Sequence, residues 1–140
     1  MNLDTDLFCR TLVNETSDAV VYADAQGRIG FWNKGAERMF GFTAAEAVGQ
    51  SLDIIIPANL RQRHWDGYAK TMSTGETRYG GDALLSVPAL RKDGSRISVE
   101  FTILPFRDDG GRMLGIAATM RDVTKQFEEM KALRKAAAGA

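Results

Sequence analysis

The sequence predicts an α+β domain in which one antiparallel sheet carries its helices on a single face. Three observations lead there. Two runs rich in β-branched and aromatic residues, Ala19 to Ala25 (AVVYADA) and Arg28 to Asn33 (RIGFWN), are joined through Gln26-Gly27, which reads as a tight hairpin. The middle of the chain is punctuated by helix starts and stops. The last third changes period: Thr77 to Val87, Ser95 to Phe106 and Arg112 to Arg121 look like strands, separated by the turns Arg91-Lys92-Asp93-Gly94 and Asp108-Asp109-Gly110-Gly111.

Taken in order, Asp4 to Val13 places Leu7, Phe8 and Leu12 near one helical face, so a short amphipathic helix is expected, ending around Asn14. After the hairpin, Asn33 can cap a helix by accepting a backbone N–H from Lys34-Gly35-Ala36-Glu37. That helix stops at Gly41 with Met39 and Phe40 turned to the core. Thr43-Ala44-Ala45-Glu46 is a capping-box pattern opening a further short helix that ends at Gly49, and a third short element, Leu52 to Ile56, precedes Pro57. From Ala58, the residues Leu60, His64, Tyr68 and Met72 recur at steps of four and Gly75 is placed to stop the chain. Ala58 to Ser73 therefore reads as a longer helix with His64 at its middle. In the central strand of the last third, Ile97, Val99, Phe101 and Ile103 alternate with Ser98, Glu100 and Thr102, the pattern of a half-buried antiparallel strand. Thr124 is expected to cap a final helix carrying Phe127, Met130 and Leu133, and the AAAGA tail is too featureless to assign. No repeat or interdomain linker is visible. The expected organisation is a flanking helix over 1–14, one domain over 15–123, and a C-terminal helix and tail over 124–140.

Composition narrows the function classes. The chain has 140 residues, 18 Lys+Arg against 18 Asp+Glu, 44% hydrophobic and 26% charged residues. A domain near this size buries roughly 68% of the surface its unfolded chain exposes, enough for a core and a small ligand pocket without disulfides. Zero formal net charge and no basic stripe argue against nucleic acid as a partner. The single cysteine, Cys9, excludes an internal disulfide and a multi-Cys zinc site. The single histidine, His64, excludes His-pair metal sites and bis-histidine cofactor ligation within one chain. No nucleotide-binding glycine motif and no nucleophile with a nearby base is present, so an enzyme is not expected. The apolar runs are too short to span a bilayer and Met1 to Arg10 lacks a signal-peptide pattern, so the expected setting is the cytoplasm, with no membrane contact.

The residues GRIGFWNKGAERMFGFTAAEAVGQSL, RKDGSRISVEFTILPF and RDVT opening a helix, in this order, resemble the PAS sensory domain over roughly residues 12 to 124. That resemblance implies a five-stranded antiparallel sheet of order 2-1-5-4-3 cupping a pocket that binds haem, flavin, another small molecule or nothing fixed. Fold alone does not choose among these.

A narrower resemblance lies in LRQRHWDGYAKTMSTGETRY, residues 60 to 79, which is similar to the haem-bearing helix of FixL-type oxygen-sensing PAS domains. It implies haem b with His64 as proximal ligand in the frame Arg61-Gln62-Arg63-His64, and Lys70 where a basic residue meets a haem propionate. Leu85, Phe101 and Ile103 then fall at distal-pocket positions, and Leu60 and Tyr68 line the same stripe as His64. The sequence departs from that pattern at Leu85, where FixL-type pockets carry the arginine that hydrogen-bonds oxygen. Oxygen affinity is therefore expected to be poor relative to carbon monoxide, and Arg at position 85 should tighten it. No methionine lies in the Gly80 to Leu85 stretch, so the sixth position is expected to be open or held by water. The flavin branch places a photoreactive cysteine in a middle helix, and Cys9 is in the first.

Chemically, one neutral imidazole in an apolar pocket suffices for an axial ligand. The same helix and the same apolar residues also make an ordinary core. Two function classes thus stay open: a haem sensor of oxygen, carbon monoxide, nitric oxide or redox state, and a haem-free interaction module or sensor of another small ligand. The Asp122-Val123-Thr124 junction resembles the Asp-x-Thr turn through which PAS domains pass a signal to a following helix. The apolar stripes of the two terminal helices suggest a homodimer that relays to an effector protein such as a histidine kinase or other output domain, with capping of the chain's own domain as the alternative.

Overall fold

The computed structural model describes residues 2–76 and 85–139, Leu85 by its backbone alone. The first helix, α1, spans Thr5–Glu15 and is capped by Asp4, whose carboxylate accepts from the Leu7 N–H at 3.0 Å. Strands β1 (Ala19–Asp24) and β2 (Ile29–Trp32) form the expected hairpin. Its turn is closed by Asp24, whose carboxylate accepts from the N–H groups of Gln26 and Arg28, both at 2.9 Å.

Helix α2 (Lys34–Phe40) begins at Asn33, which does more than cap it. The Asn33 side-chain oxygen accepts from Ala36 N–H at 2.9 Å and Val20 N–H at 2.8 Å, while its amide donates to the carbonyls of Val13 at 2.8 Å and Asp18 at 2.9 Å. Every donor and acceptor of this buried amide is satisfied, so one side chain ties α1, β1 and α2 together. Helix α3 (Ala44–Ala47) carries the complete Thr43/Glu46 capping box and ends two residues before Gly49. A 3-10 turn over Leu52–Ile55 follows, capped by Ser51.

The long helix differs from expectation at its start. A separate 3-10 turn occupies Ala58–Leu60, and α4 spans Arg61–Thr74. The Arg61 side chain folds back to donate to the carbonyls of Ile56 at 3.0 Å and Asp53 at 3.3 Å, tying the helix start to the preceding 3-10 turn. At the other end Gly75 takes a left-handed φ of 72°, and the Arg107 guanidinium donates to its carbonyl, lying where a side chain at 75 would have to go.

Strands β3 (Leu85–Leu90), β4 (Arg96–Arg107) and β5 (Met113–Asp122) complete an antiparallel sheet of order β2-β1-β5-β4-β3. The expected first strand of this group began at Thr77; residues 77–84 lie outside the described residues, and β3 runs three residues further than expected, through Pro88. Proline is tolerated because β3 is an edge strand of the sheet among the described residues. Thr124 does not cap α5 (Thr124–Ala138): it is the helix's first residue. Its hydroxyl accepts from Ser98 N–H at 2.9 Å, while Asp122 accepts from Thr124 N–H at 2.9 Å. The alanine tail extends the helix because alanine has the highest intrinsic helix propensity.

One core, between the inner sheet face and α2, α3 and the first 3-10 turn, contains Trp32, Phe40, Ile29, Val99, Ile97 and Met120, all buried. A second, smaller cluster lies under α4. No helix among the described residues is long and apolar enough to cross a membrane.

Candidate functional site

Helix α4 is laid over the sheet by side chains spaced so that Tyr68 and Met72 face inward. Around them are Ala23 of β1, Ile116 and Met113 of β5, Ile103 of β4, and Leu52 and Trp65. Only Ala23, Tyr68 and Ile116 of this group are buried; the others are half-buried. The Tyr68 hydroxyl reaches the carbonyls of Ala23 at 3.1 Å and Asp24 at 2.6 Å, and burial pushes its phenol well above the ordinary tyrosine range. It is a donor committed to the β1–β2 hairpin.

His64 sits one turn earlier, half-buried, its ring 4.6 Å from that of Trp65 and 5.7 Å from that of Tyr68. Its Nδ1 is buried and has no hydrogen-bond partner among the described residues. A buried nitrogen left unpaired costs free energy, and native proteins keep few such groups. Burial lowers the imidazole pKa from its ordinary value, opposed by the nearby Asp53 carboxylate. The neutral ring, the form that ligates a metal, is thereby favoured.

Adjacent helical residues project about 100° apart, which on its own would point Trp65 away from His64. The rings nevertheless meet edge to face, because both flank the buried stripe and fold toward it. Trp65 continues to Asp53, whose Oδ1 accepts the indole N–H at 2.7 Å.

The expected site residues are brought together unevenly. His64, Tyr68 and Ile103 belong to the α4 cluster. Phe101 faces the same side of the sheet and packs against the larger core. Leu60 is half-buried at the residue preceding α4. Lys70 lies on the exposed side of the helix. The Leu85 backbone pairs with Phe101 and its side chain lies outside the described residues. Trp65, Asp53, Met72 and Met113 were not anticipated as site neighbours. For Met72 the step-of-four stripe carried the signal; for Asp53 and Met113 nothing local in the sequence did.

The residues present fit a haem iron in donor chemistry: one neutral, unpartnered imidazole amid apolar side chains, with no cluster of three or more metal-ligating His, Cys, Asp or Glu among the described residues to compete. Among the described residues, two open hollows of about 350 and 240 Å³ lie beside Ser17, Arg38 and Arg121 and on the outer sheet face, and His64 lines neither.

The family model described as the PAS fold matches residues 13–127. An uncharacterized protein of Azorhizobium caulinodans is 34% identical over 129 residues, 91% of this chain and 17% of that protein. The sensor protein FixL of Bradyrhizobium diazoefficiens is 25% identical over 90% of this chain and 24% of its own length. The oxygen sensor protein DosP of Escherichia coli is 23% identical over 95% of this chain and 15% of its own. The chain thus spans less than a quarter of the length of these relatives. Among solved structures, the PAS domain of a Colwellia psychrerythraea protein superimposes with a TM-score of 0.76 at 24% identity, covering 87% of this chain and 99% of that one. An RNA-binding light-oxygen-voltage receptor does so at 0.74 and 23% identity, over 97% of this chain and 38% of that one. At these identities the structures speak for the fold alone, and together with the family match and the sheet order they place the chain: it belongs to the PAS-fold family.

Proposed function

We propose that this chain is a sensory PAS module that holds haem b through His64 and responds to a diatomic gas or to redox state, doing no chemistry on a substrate of its own. The observation that carries the reading is the one histidine of the chain, half-buried on α4 beside apolar side chains, where burial favours its neutral ring. Two relatives named as a FixL sensor and an oxygen sensor support it. When bound, the iron supplies an open coordination position for a gas. The protein's part is to hold the imidazole neutral, keep water from its buried edge and offer Lys70 to a propionate at the exposed side of the helix.

On the inner sheet face the side chains of Phe101 and Ile103 have no hydrogen-bond donor, and the Tyr68 hydroxyl is already donating to the backbone carbonyls of Ala23 and Asp24. Bound oxygen carries partial negative charge that a donor would stabilise, whereas carbon monoxide depends on such donors less. The expected outcome is a reconstituted protein that binds carbon monoxide readily and oxygen poorly, measured by absorption spectra under each gas. Tight oxygen binding would overturn this reading of the gas side.

Output passes through the termini. Arg121 at the end of β5 pairs with Asp18 at 3.3 Å, and Val123 N–H donates to Ser98 at 2.8 Å, so the exit of α1 and the entry of α5 are fastened at one end of the sheet. Leu7, Phe8 and Leu12 on α1 and Phe127, Met130 and Leu133 on α5 are about half exposed or more. Those stripes support a homodimer relaying to a kinase or other output domain. They equally favour a second reading, a haem-free dimerisation module, which a colourless but dimeric protein after haem addition would establish.

A further inference from the structure

We propose that Asp53 positions the His64 imidazole, acting through the Trp65 indole as a brace between the Leu52–Ile55 turn and α4. The inference rests on the reading of His64 as the ligand-bearing residue. A histidine side chain has two rotatable bonds, and a metal-binding imidazole is ordinarily oriented by a hydrogen bond from its second nitrogen. Among the described residues His64 has no such bond at Nδ1, so its rotation is set by packing. Of the described aromatic rings Trp65 is the nearer, edge to face at 77°.

The indole is in turn held at two further points. Its N–H donates to Asp53 Oδ1 at 2.7 Å. Its six-membered ring lies against the hairpin turn at Gly27, where φ is +76° and a Cβ would come within 2.0 Å of the ring. Only glycine leaves that seat open. Asp53 itself is steadied from α4: Arg61 Nε lies 3.9 Å from the same carboxylate oxygen, and Arg61 donates to the Asp53 carbonyl at 3.3 Å. The chain of contacts is therefore Arg61, Asp53, Trp65, His64, with Gly27 as backstop. It begins and ends on α4 and passes through the turn before it, so a shift of α4 must either carry this brace along or turn the imidazole.

A plain fold tie would hold the helix without holding the ring, and two measurements separate the cases. In the cofactor-free protein, nuclear Overhauser contacts between the Trp65 and His64 rings are expected in the native chain and in Asp53→Asn, which keeps the acceptor oxygen, and to be lost in Asp53→Leu. In the ferrous haem-loaded protein, the iron–histidine stretching band is expected to shift or broaden in Asp53→Leu and to stay in place in Asp53→Asn. Trp65→Phe, which removes donor and bulk together, should move the band as Asp53→Leu does and stands in for it if that variant does not fold. Ring contacts that survive in Asp53→Leu overturn the inference, as does a band unmoved where the contacts are lost. A native protein that takes up no haem but loses its ring contacts in Asp53→Leu defeats the haem reading and leaves the brace standing.

Discussion

The two apolar clusters on the inner sheet face are built to different standards. The one under α2 and α3 has twelve buried residues, among them Trp32 and Phe40, whose rings lie 5.4 Å apart. Its polar members are fully engaged, Asn33 through four hydrogen bonds and the Trp32 indole through the Phe42 carbonyl at 3.0 Å. Among the described residues, the one under α4 has three buried residues and five half-buried ones, against eight half-buried around the first, and a buried histidine nitrogen with no hydrogen-bond partner. Close packing with satisfied polar groups specifies one arrangement; loose packing with an unsatisfied donor or acceptor leaves room for another. The first cluster makes the domain stable, and the second is where the domain can still change.

Truncation should expose this contrast most strongly. Phe40→Ala removes a fully buried ring from the tight cluster and is expected to cost roughly 3–5 kcal/mol, the range for large-to-small aromatic changes in closed cores. Ile103→Ala, in the half-buried cluster, should cost less than half as much, because its surroundings can collapse and its side chain was only partly withdrawn from water. Urea denaturation of the cofactor-free protein reads both. Equal losses would mean that the clusters are packed alike.

Replacing the histidine sharpens the comparison in the opposite direction. His64→Leu removes the Nδ1 that has no partner among the described residues and fills the site with an apolar side chain, so the cofactor-free domain is expected to gain about 1 kcal/mol. A gain in stability on removing the proposed ligand is the mark of a residue kept for function. A loss instead would make His64 a structural core residue. The pH dependence follows with its sign. Burial lowers the folded pKa of His64 below 6.5, so the unfolded chain takes up the proton first as pH falls. Native stability should decline as pH drops from about 6.5 through the lowered folded value and level off below it. His64→Leu should be flatter across that window, the smallest of the expected differences.

The tighter region was also the more legible one. Asn33 as a cap, the Thr43/Glu46 capping box and the Gln26-Gly27 hairpin are local devices whose residue types state their geometry, and all three stand as read. The sheet order came from the resemblance and not from the strands, since period-two alternation identifies a strand without its neighbours. Around α4 the sequence offered a stripe of four and a single histidine, and these did locate the cluster. It could not offer the Trp65–Asp53 bond, which spans twelve positions and depends on how a 3-10 turn meets a helix. Nor could it foresee that Asn33 reaches back to Val13, twenty residues earlier. Thr124 was misjudged because Ser98, a strand away, offers its hydroxyl a better partner than the helix does.

The central claim, that His64 exists to bind haem iron, is tested most directly by titrating haemin into the cofactor-free protein and following the Soret band, beside His64→Ala. A saturable red-shifted band with one haem per chain in the native protein, lost in His64→Ala while the variant keeps its fold by circular dichroism, is the predicted result. The same band in both proteins, or none in the native one, would contradict it.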